Sequence, residues 1–126
     1  MGVTMKAAIR QYRVLAATCF VACVASSHAL AAVDADAAMS LADKSGCNKC
    51  HGVEKRKDGP ALRDVAAKYK GDDGAVDKLV YHVTSGEMVK FEDGHKEAHK
   101  KVKTRDEAET RNLVQWILSL PGGTKY

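Results

Sequence analysis

The sequence predicts an all-α domain of about four helices, and three observations support this prediction. Apolar side chains recur at helical spacing in four segments between positions 34 and 120. Glycine, proline or aspartate residues stand near the ends of these segments, where helices begin and end. The sequence shows neither the alternation typical of strands nor an internal repeat. A chain of 126 residues then holds one domain at most.

Residues 1–31 predict a secretory signal peptide that is cleaved after Ala31. Three basic residues precede an uncharged run over residues 14–25, and Ala29 and Ala31 are the small residues expected before the cleavage site. Two alternatives stay open. One is an uncleaved anchor, although a membrane span needs about 20 apolar residues, and the other is a lipoprotein attached through Cys23. Cleavage leaves a mature domain over residues 32–126, without stable membrane insertion.

Much of the net charge of +4 belongs to the predicted signal peptide. That segment contains three of the 20 basic residues and none of the 16 acidic ones, so 17 basic and 16 acidic residues remain, a formal charge of +1. Net charge then gives no support to binding of nucleic acid or of a membrane surface. A lysine-rich segment is either a docking patch for a partner or a solvated face. Its lysines are Lys96, Lys100, Lys101 and Lys103.

The first helix is predicted over residues 34–45, where small and apolar residues recur on one face. Asp34 or Asp36 is available as its N-cap, and Gly46 ends it. Because Cys47 follows at once, this helix leads directly into the most informative motif of the chain.

The segment Cys47-x-x-Cys50-His51 is the attachment motif for a c-type haem. Each thiol can add to one haem vinyl group, while the neutral imidazole of His51 binds one side of the iron. A zinc site completed by His95 and His99, spaced i, i+4, is one alternative, and a disulfide between the two cysteines is another. Neither alternative explains why a histidine directly follows Cys50. The motif therefore predicts one covalently bound haem with its iron.

Two further helices are predicted in the middle of the chain. Pro60 suits the first position of a helix that runs through Tyr69. The Gly-Asp-Asp-Gly sequence at residues 71–74 breaks the chain. The next helix covers residues 75–85, and Gly86 is well placed to cap its C-terminus.

Residues 86–103 are predicted to be a long irregular segment, and a loop of this length in a small domain is usually functional. The residues from Thr104 to Glu107 fit a capping box that opens the last helix. That helix is expected to run to Leu120, because Pro121 and two glycines stop it.

Taken together, these features resemble the small monohaem class I cytochromes c of bacteria. The resemblance covers residues 35–120. It rests on the haem motif and on two further segments, Gly59-Pro60-Ala61 followed by Asp64-Val65-Ala66-Ala67-Lys68-Tyr69, and Leu113-Val114-Gln115-Trp116-Ile117-Leu118. The resemblance implies an all-α cytochrome c fold wrapped round one haem, in which the carbonyl of Pro60 accepts a hydrogen bond from the ring of His51.

The chain departs from this family at the sixth iron ligand. Members usually carry a methionine in a proline-rich loop after the third helix, whereas the loop here lacks proline and its methionine, Met88, lies early. Counting back from the last helix places the family's methionine at His99, and counting forward from the third helix places it near His95. The resemblance predicts His51 and His99 as iron ligands, with His95 and Met88 as alternatives. Two histidines imply a lower reduction potential than histidine with methionine.

The family further implies a function in electron transfer. We expect a monomeric, periplasmic single-electron carrier that docks transiently with periplasmic or membrane redox proteins and is not an enzyme. The alternative is a haem enzyme or gas-binding sensor in which a small molecule replaces the sixth ligand.

Overall fold

The structure is a computed structural model that describes residues 32–122. The predicted signal peptide lies outside the described residues. The described part contains helices α1 (Ala35–Ser45), α2 (Cys47–Cys50), α3 (Leu62–Lys68), α4 (Ala75–Ser85) and α5 (Glu107–Ser119), and strands β1 (Met88–Lys90) and β2 (Lys96–Ala98). Four longer helices and the single turn α2 confirm the prediction of an all-α fold. None of the helices in this part of the chain is long and apolar enough to cross a membrane.

Helix α1 begins and ends where its capping residues predict. The side chain of Asp34 accepts a hydrogen bond from the Ala37 N–H at 2.9 Å, and Gly46 ends the helix in the left-handed region at φ 77°. Asn112 on α5 makes two hydrogen bonds with the backbone of Asp34, at 2.8 and 2.9 Å. The N-terminus of α1 is therefore attached to the middle of α5.

The core lies where α1 and α3 pack against α5. Its buried residues are Ala38, Leu41, Ala42, Leu62, Val102, Leu113, Trp116 and Ile117. Leu113 and Val114 are fully buried, and the half-buried Cys47 packs against the edge of this cluster. The first cysteine of the haem motif is thus packed against the hydrophobic core.

Helix α3 starts later than Pro60, which corrects the prediction that this proline occupies the first helical position. The helix begins at Leu62, with Ala61 as N-cap in extended conformation. The N–H groups of Leu62 and Arg63 donate to the carbonyls of Gly52 and Val53 at 2.9 and 3.1 Å. These bonds attach the first turn of α3 to the loop that follows the haem motif.

The segment over residues 86–103 is not irregular throughout, since it contains a short antiparallel hairpin. Met88 pairs with Ala98 and Lys90 with Lys96. Gly94 lies at φ 90° in the turn and donates its N–H to the carbonyl of Phe91 at 3.0 Å. The sequence prediction overlooked Asp93-Gly94, a dipeptide typical of hairpin turns.

Helix α5 also starts later than predicted. Its N-cap is Asp106, whose side chain accepts from the N–H groups of Ala108 and Glu109 at 2.7 and 3.4 Å. Thr104 instead accepts from the Asp106 N–H and donates to the carboxylate of Glu109. The helix ends at Ser119, one residue before the predicted end.

Candidate haem site

The two cysteines of the motif lie on the single helical turn α2, directly after α1. Gly46 allows the chain to change direction between the two helices. Cys47 and Cys50 are spaced i, i+3 on this turn, so that both thiols lie on the same side of it. Both are half-buried and neither forms a disulfide. Burial, and to a lesser extent the nearby Cys50, raises the pKa of the Cys47 thiol.

His51 is held by the loop that follows it. Its ring Nδ1 lies 2.8 Å from the carbonyl oxygen of Pro60. Because a carbonyl can only accept, Nδ1 carries the proton, and Nε2 keeps its lone pair for a metal. The backbone N–H of Gly59 donates to the Cys50 carbonyl at 2.8 Å, which closes the loop behind the ring.

Gly59 packs directly against the ring of His51. A Cβ atom at this position would lie 2.5 Å from Cε1 and 2.9 Å from Nδ1 of that ring, closer than such atoms approach one another. Glycine is therefore required here for the backbone to come close to the imidazole. The ring of His51 is therefore held by its packing against Gly59 as well as by its hydrogen bond to Pro60.

His99 follows strand β2 and faces His51. The centroids of the two rings are 6.1 Å apart, and their planes are inclined by 47°. The backbone N–H of His99 donates to the carbonyl of Glu87 at 2.9 Å. The pairing of β1 with β2 therefore continues one residue beyond Met88 and Ala98. The ring is half-buried, and its Nδ1 is buried without a hydrogen-bond partner among residues 32–122.

The environment of His99 favours the neutral imidazole. Burial lowers its pKa most, and the charges that His82 and His51 would carry lower it further, while Glu87 acts in the opposite direction. Only the neutral ring has a lone pair available for a metal ion.

His82 is the residue of this site that the sequence did not predict. Its ring centroid lies 4.2 Å from that of His99, at an inclination of 46°. Its Nδ1 lies 2.5 Å from a carboxylate oxygen of Glu87. A usable signal was present, because His82 lies three positions after Leu79, which is buried, on the inner face of α4.

His95 and Met88 lie away from this pair of rings. The His95 ring stacks on Phe91 at 4.3 Å in the turn of the hairpin, and its Nδ1 is paired with the carboxylate of Asp93. Met88 lies on β1 with 62% of its surface exposed. The helical i, i+4 spacing assumed for His95 and His99 is absent, because β2 separates them. In the described part of the chain, no group of three His, Cys, Asp or Glu side chains is arranged to hold a metal ion.

The residues present fit a covalently attached haem. Two imidazole rings that held one metal ion between them through metal–nitrogen bonds of about 2 Å would have their centroids about 6 Å apart. The separation of the His51 and His99 rings, 6.1 Å, agrees with this value. The free thiols of Cys47 and Cys50 lie beside His51 on the same turn.

Comparison with known proteins places this arrangement in a family. The family model described as Cytochrome c matches residues 35–121. The cytochrome c-551 of Allochromatium vinosum is 44% identical over 80 residues, which cover 64% of this chain and 82% of that protein. The cytochrome c-552 of Nitrosomonas europaea is 36% identical over 103 residues, which cover 82% of this chain and 97% of the relative.

Solved structures agree with the sequence relatives. The class 1 cytochrome MtoD from Sideroxydans lithotrophicus ES-1 is similar with a TM-score of 0.69 and 54% identity, over 72% of this chain and all of that one. Wild-type cytochrome c552 of Nitrosomonas europaea gives a TM-score of 0.54 and 33% identity, over 65% of this chain and 98% of its own. The chain therefore belongs to the cytochrome c family, as a small class I monohaem member that carries a covalently attached c-type haem and shares the family's role as an electron carrier.

Proposed function

We propose that this protein is a periplasmic single-electron carrier whose haem is attached through Cys47 and Cys50 and whose iron is bound by His51 and His99. The observation that carries this proposal is the separation of 6.1 Å between the centroids of the two histidine rings. The bound haem supplies a one-electron couple at its iron. The protein side chains hold the two axial positions through the change of charge and exclude water from them.

His51 and His99 are supported differently. The carbonyl of Pro60 fixes the proton on Nδ1 of His51, which orients its Nε2. Burial lowers the pKa of His99, which favours its neutral form. With imidazole in both axial positions, we expect a reduction potential below that of a histidine–methionine site, because a thioether raises the potential.

The expected place of action is the periplasm, reached through the signal peptide over residues 1–31, with residues 32–126 as the mature haem domain. Its partners would be periplasmic or membrane redox proteins that bind transiently to a monomer. Lys96, Lys100, Lys101 and Lys103 are exposed around the end of the hairpin, where they can meet an acidic surface. Nothing in the charge of the mature domain favours nucleic acid as a partner.

The test is the absorption spectrum of the purified ferric protein, with His99→Ala and His95→Ala compared. We expect a low-spin spectrum without the weak long-wavelength band of methionine sulphur on ferric iron. His99→Ala should become high-spin, whereas His95→Ala, the matched control from the exposed turn, should keep the wild-type spectrum. His99→Met should raise the midpoint potential. A methionine band in the wild type would overturn the assignment in favour of Met88.

A measurement of CO binding separates the carrier from the enzyme or sensor alternative. The reduced protein of a carrier with two firmly held histidines should bind CO slowly, and His99→Ala should bind it rapidly. Rapid binding by the wild type would contradict the assignment as a carrier.

A further inference from the structure

We infer that His82 and Glu87 act as positioning residues for His99: the His82 ring sets the orientation of the His99 ring, and Glu87 holds both histidines. This inference rests on the proposed function, because it takes His99 as the sixth iron ligand. It concerns residues that neither the haem motif nor the axial pair includes.

Glu87 is bonded to both histidines at once. Its carboxylate accepts from Nδ1–H of His82 at 2.5 Å, and its backbone carbonyl accepts from the N–H of His99 at 2.9 Å. The N–H of Glu87 in turn donates to the hydroxyl of Ser85 at 3.2 Å, next to the left-handed cap Gly86. One residue therefore links the C-terminal end of α4, the helix that carries His82, to the backbone of His99.

His82 supplies contact to a ring whose Nδ1 has no hydrogen-bond partner among residues 32–122. Metal-binding histidines almost always donate their second ring N–H to an acceptor, which fixes the ring orientation. His51 follows this rule through Pro60, whereas Nδ1 of His99 is buried without an acceptor in the described part of the chain. The His82 ring lies against His99 with centroids 4.2 Å apart. Packing of one ring on the other can then limit its rotation.

The position of His99 in the fold makes such a support necessary. His99 lies at the end of a two-stranded hairpin whose residues from Glu92 to Ala98 are exposed, and a two-stranded hairpin alone is marginally stable. Rigid contacts come instead from α4. The backbone N–H of the buried Val102 donates to the carbonyl of Val83 at 2.8 Å, one residue after His82. Helix α4 thus binds the chain just after His99 through Val83, and it contacts the His99 ring through His82.

The experiment compares His82→Ala, His82→Phe, Glu87→Ala and Glu87→Gln in the haem-loaded protein, with His95→Ala as control. The readouts are the g-values of the ferric protein in electron paramagnetic resonance, which follow ligand orientation, the midpoint potential, and the rate of CO binding to the reduced protein.

We expect His82→Ala to stay low-spin, to shift the g-values, and to accelerate CO binding about threefold to tenfold, the range that loss of one aromatic contact produces. Glu87→Ala should change the same readouts in the same direction. Glu87→Gln should restore them, because its side-chain carbonyl can still accept from His82. His82→Phe should keep the rate closer to that of the wild type than His82→Ala does, because it retains a ring.

Two results would overturn the inference. If His82→Ala and Glu87→Ala lower only the melting temperature and leave g-values and CO rates unchanged, their role is structural. If His82→Ala becomes high-spin while His99→Ala stays low-spin, His82 itself is the ligand. Failure of the proposed function would look different, since the unmodified protein would then show the methionine band or His99→Ala would leave its spectrum unchanged.

Discussion

At the scale of single residues, the contact between Gly59 and His51 shows how a backbone can support a histidine ring. The missing side chain lets the peptide approach the imidazole ring, and the next residue, Pro60, then presents its carbonyl to Nδ1. Because proline has a fixed φ, the backbone that presents this carbonyl has one less freely rotating bond. Two consecutive residues, Gly59 and Pro60, thus support the ring of His51.

Gly59→Ala should disturb this support. A Cβ 2.5 Å from Cε1 of His51 must displace the ring or the loop, and overpacking of this kind costs about 1–3 kcal/mol. We expect a lower melting temperature and a lower yield of haem-loaded protein, measured by circular dichroism and by haem absorbance per polypeptide. Gly122→Ala is the control, because its Cβ would lie no closer than 3.4 Å to Ala67. If Gly59→Ala has the melting temperature and the haem content of the wild type, the loop accommodates the added methyl group without loss of stability.

At the scale of elements, the carboxylate of Asp72 stabilises the turn before helix α4. Asp72 accepts hydrogen bonds from Nζ of Lys78 at 2.6 Å and from the Gly74 N–H at 2.9 Å. These two bonds lower the pKa of Asp72 below its ordinary value of 3.8, with the bond from Lys78 as the larger cause. The ionised carboxylate therefore stabilises the turn from which α4, the helix carrying His82, begins.

The pH dependence of this contribution follows from its sign. A carboxyl group with a lowered pKa in the folded state stabilises the fold fully above its unfolded pKa, and the contribution is lost as pH falls through the folded value. We expect Asp72→Asn to melt a few degrees below the wild type at pH 7 and the difference to shrink below pH 3.8. Asp73→Asn, which removes the same charge one position later, is the control. A difference in melting temperature between Asp72→Asn and the wild type that stays the same at all pH values would contradict this prediction.

The start of α5 shows where a local sequence pattern was misleading. Thr104 and Glu107 have the spacing of a capping box, but Asp106 competes for the same role and is the N-cap. Aspartate and threonine are both good caps, so the sequence pattern alone leaves the choice open. In the structure, Thr104 bonds to Glu109 and Asp106 instead, which stabilises the approach to the helix.

At the scale of the whole molecule, α5 joins the two halves of the site to one core. It packs against α1, which leads to Cys47, and against α4, which carries His82. The buried hydroxyl of Ser45 accepts from the backbone N–H of Lys103 at 2.9 Å. This bond connects the end of α1, next to Cys47, with the chain that follows His99.

Leu113→Ala should weaken this common core. The side chain is 1% exposed, and a buried Leu→Ala change costs about 2–5 kcal/mol through lost contacts and the cavity left behind. We expect the midpoint of chemical denaturation to fall accordingly, with the ferric spectrum of the remaining folded protein unchanged. Leu118→Ala, at a half-buried position of the same helix, should cost less. Equal losses for the two variants would show that α5 does not bury one specific face.

The sequence by itself determined the haem motif, the all-α class and the positions of the longer helices, because these depend on neighbouring residues: a fixed spacing of thiols and imidazole, helical periodicity, and glycine or aspartate at the ends. The choice of His99 over His95 as sixth ligand stays a prediction from the sequence. Only the tertiary structure decided that the ring of His99 faces His51, that the ring of His95 stacks in an exposed turn, and that His82 lies against His99. These relations depend on how a hairpin and α4 pack against residues distant in the chain, and no local pattern specifies such packing.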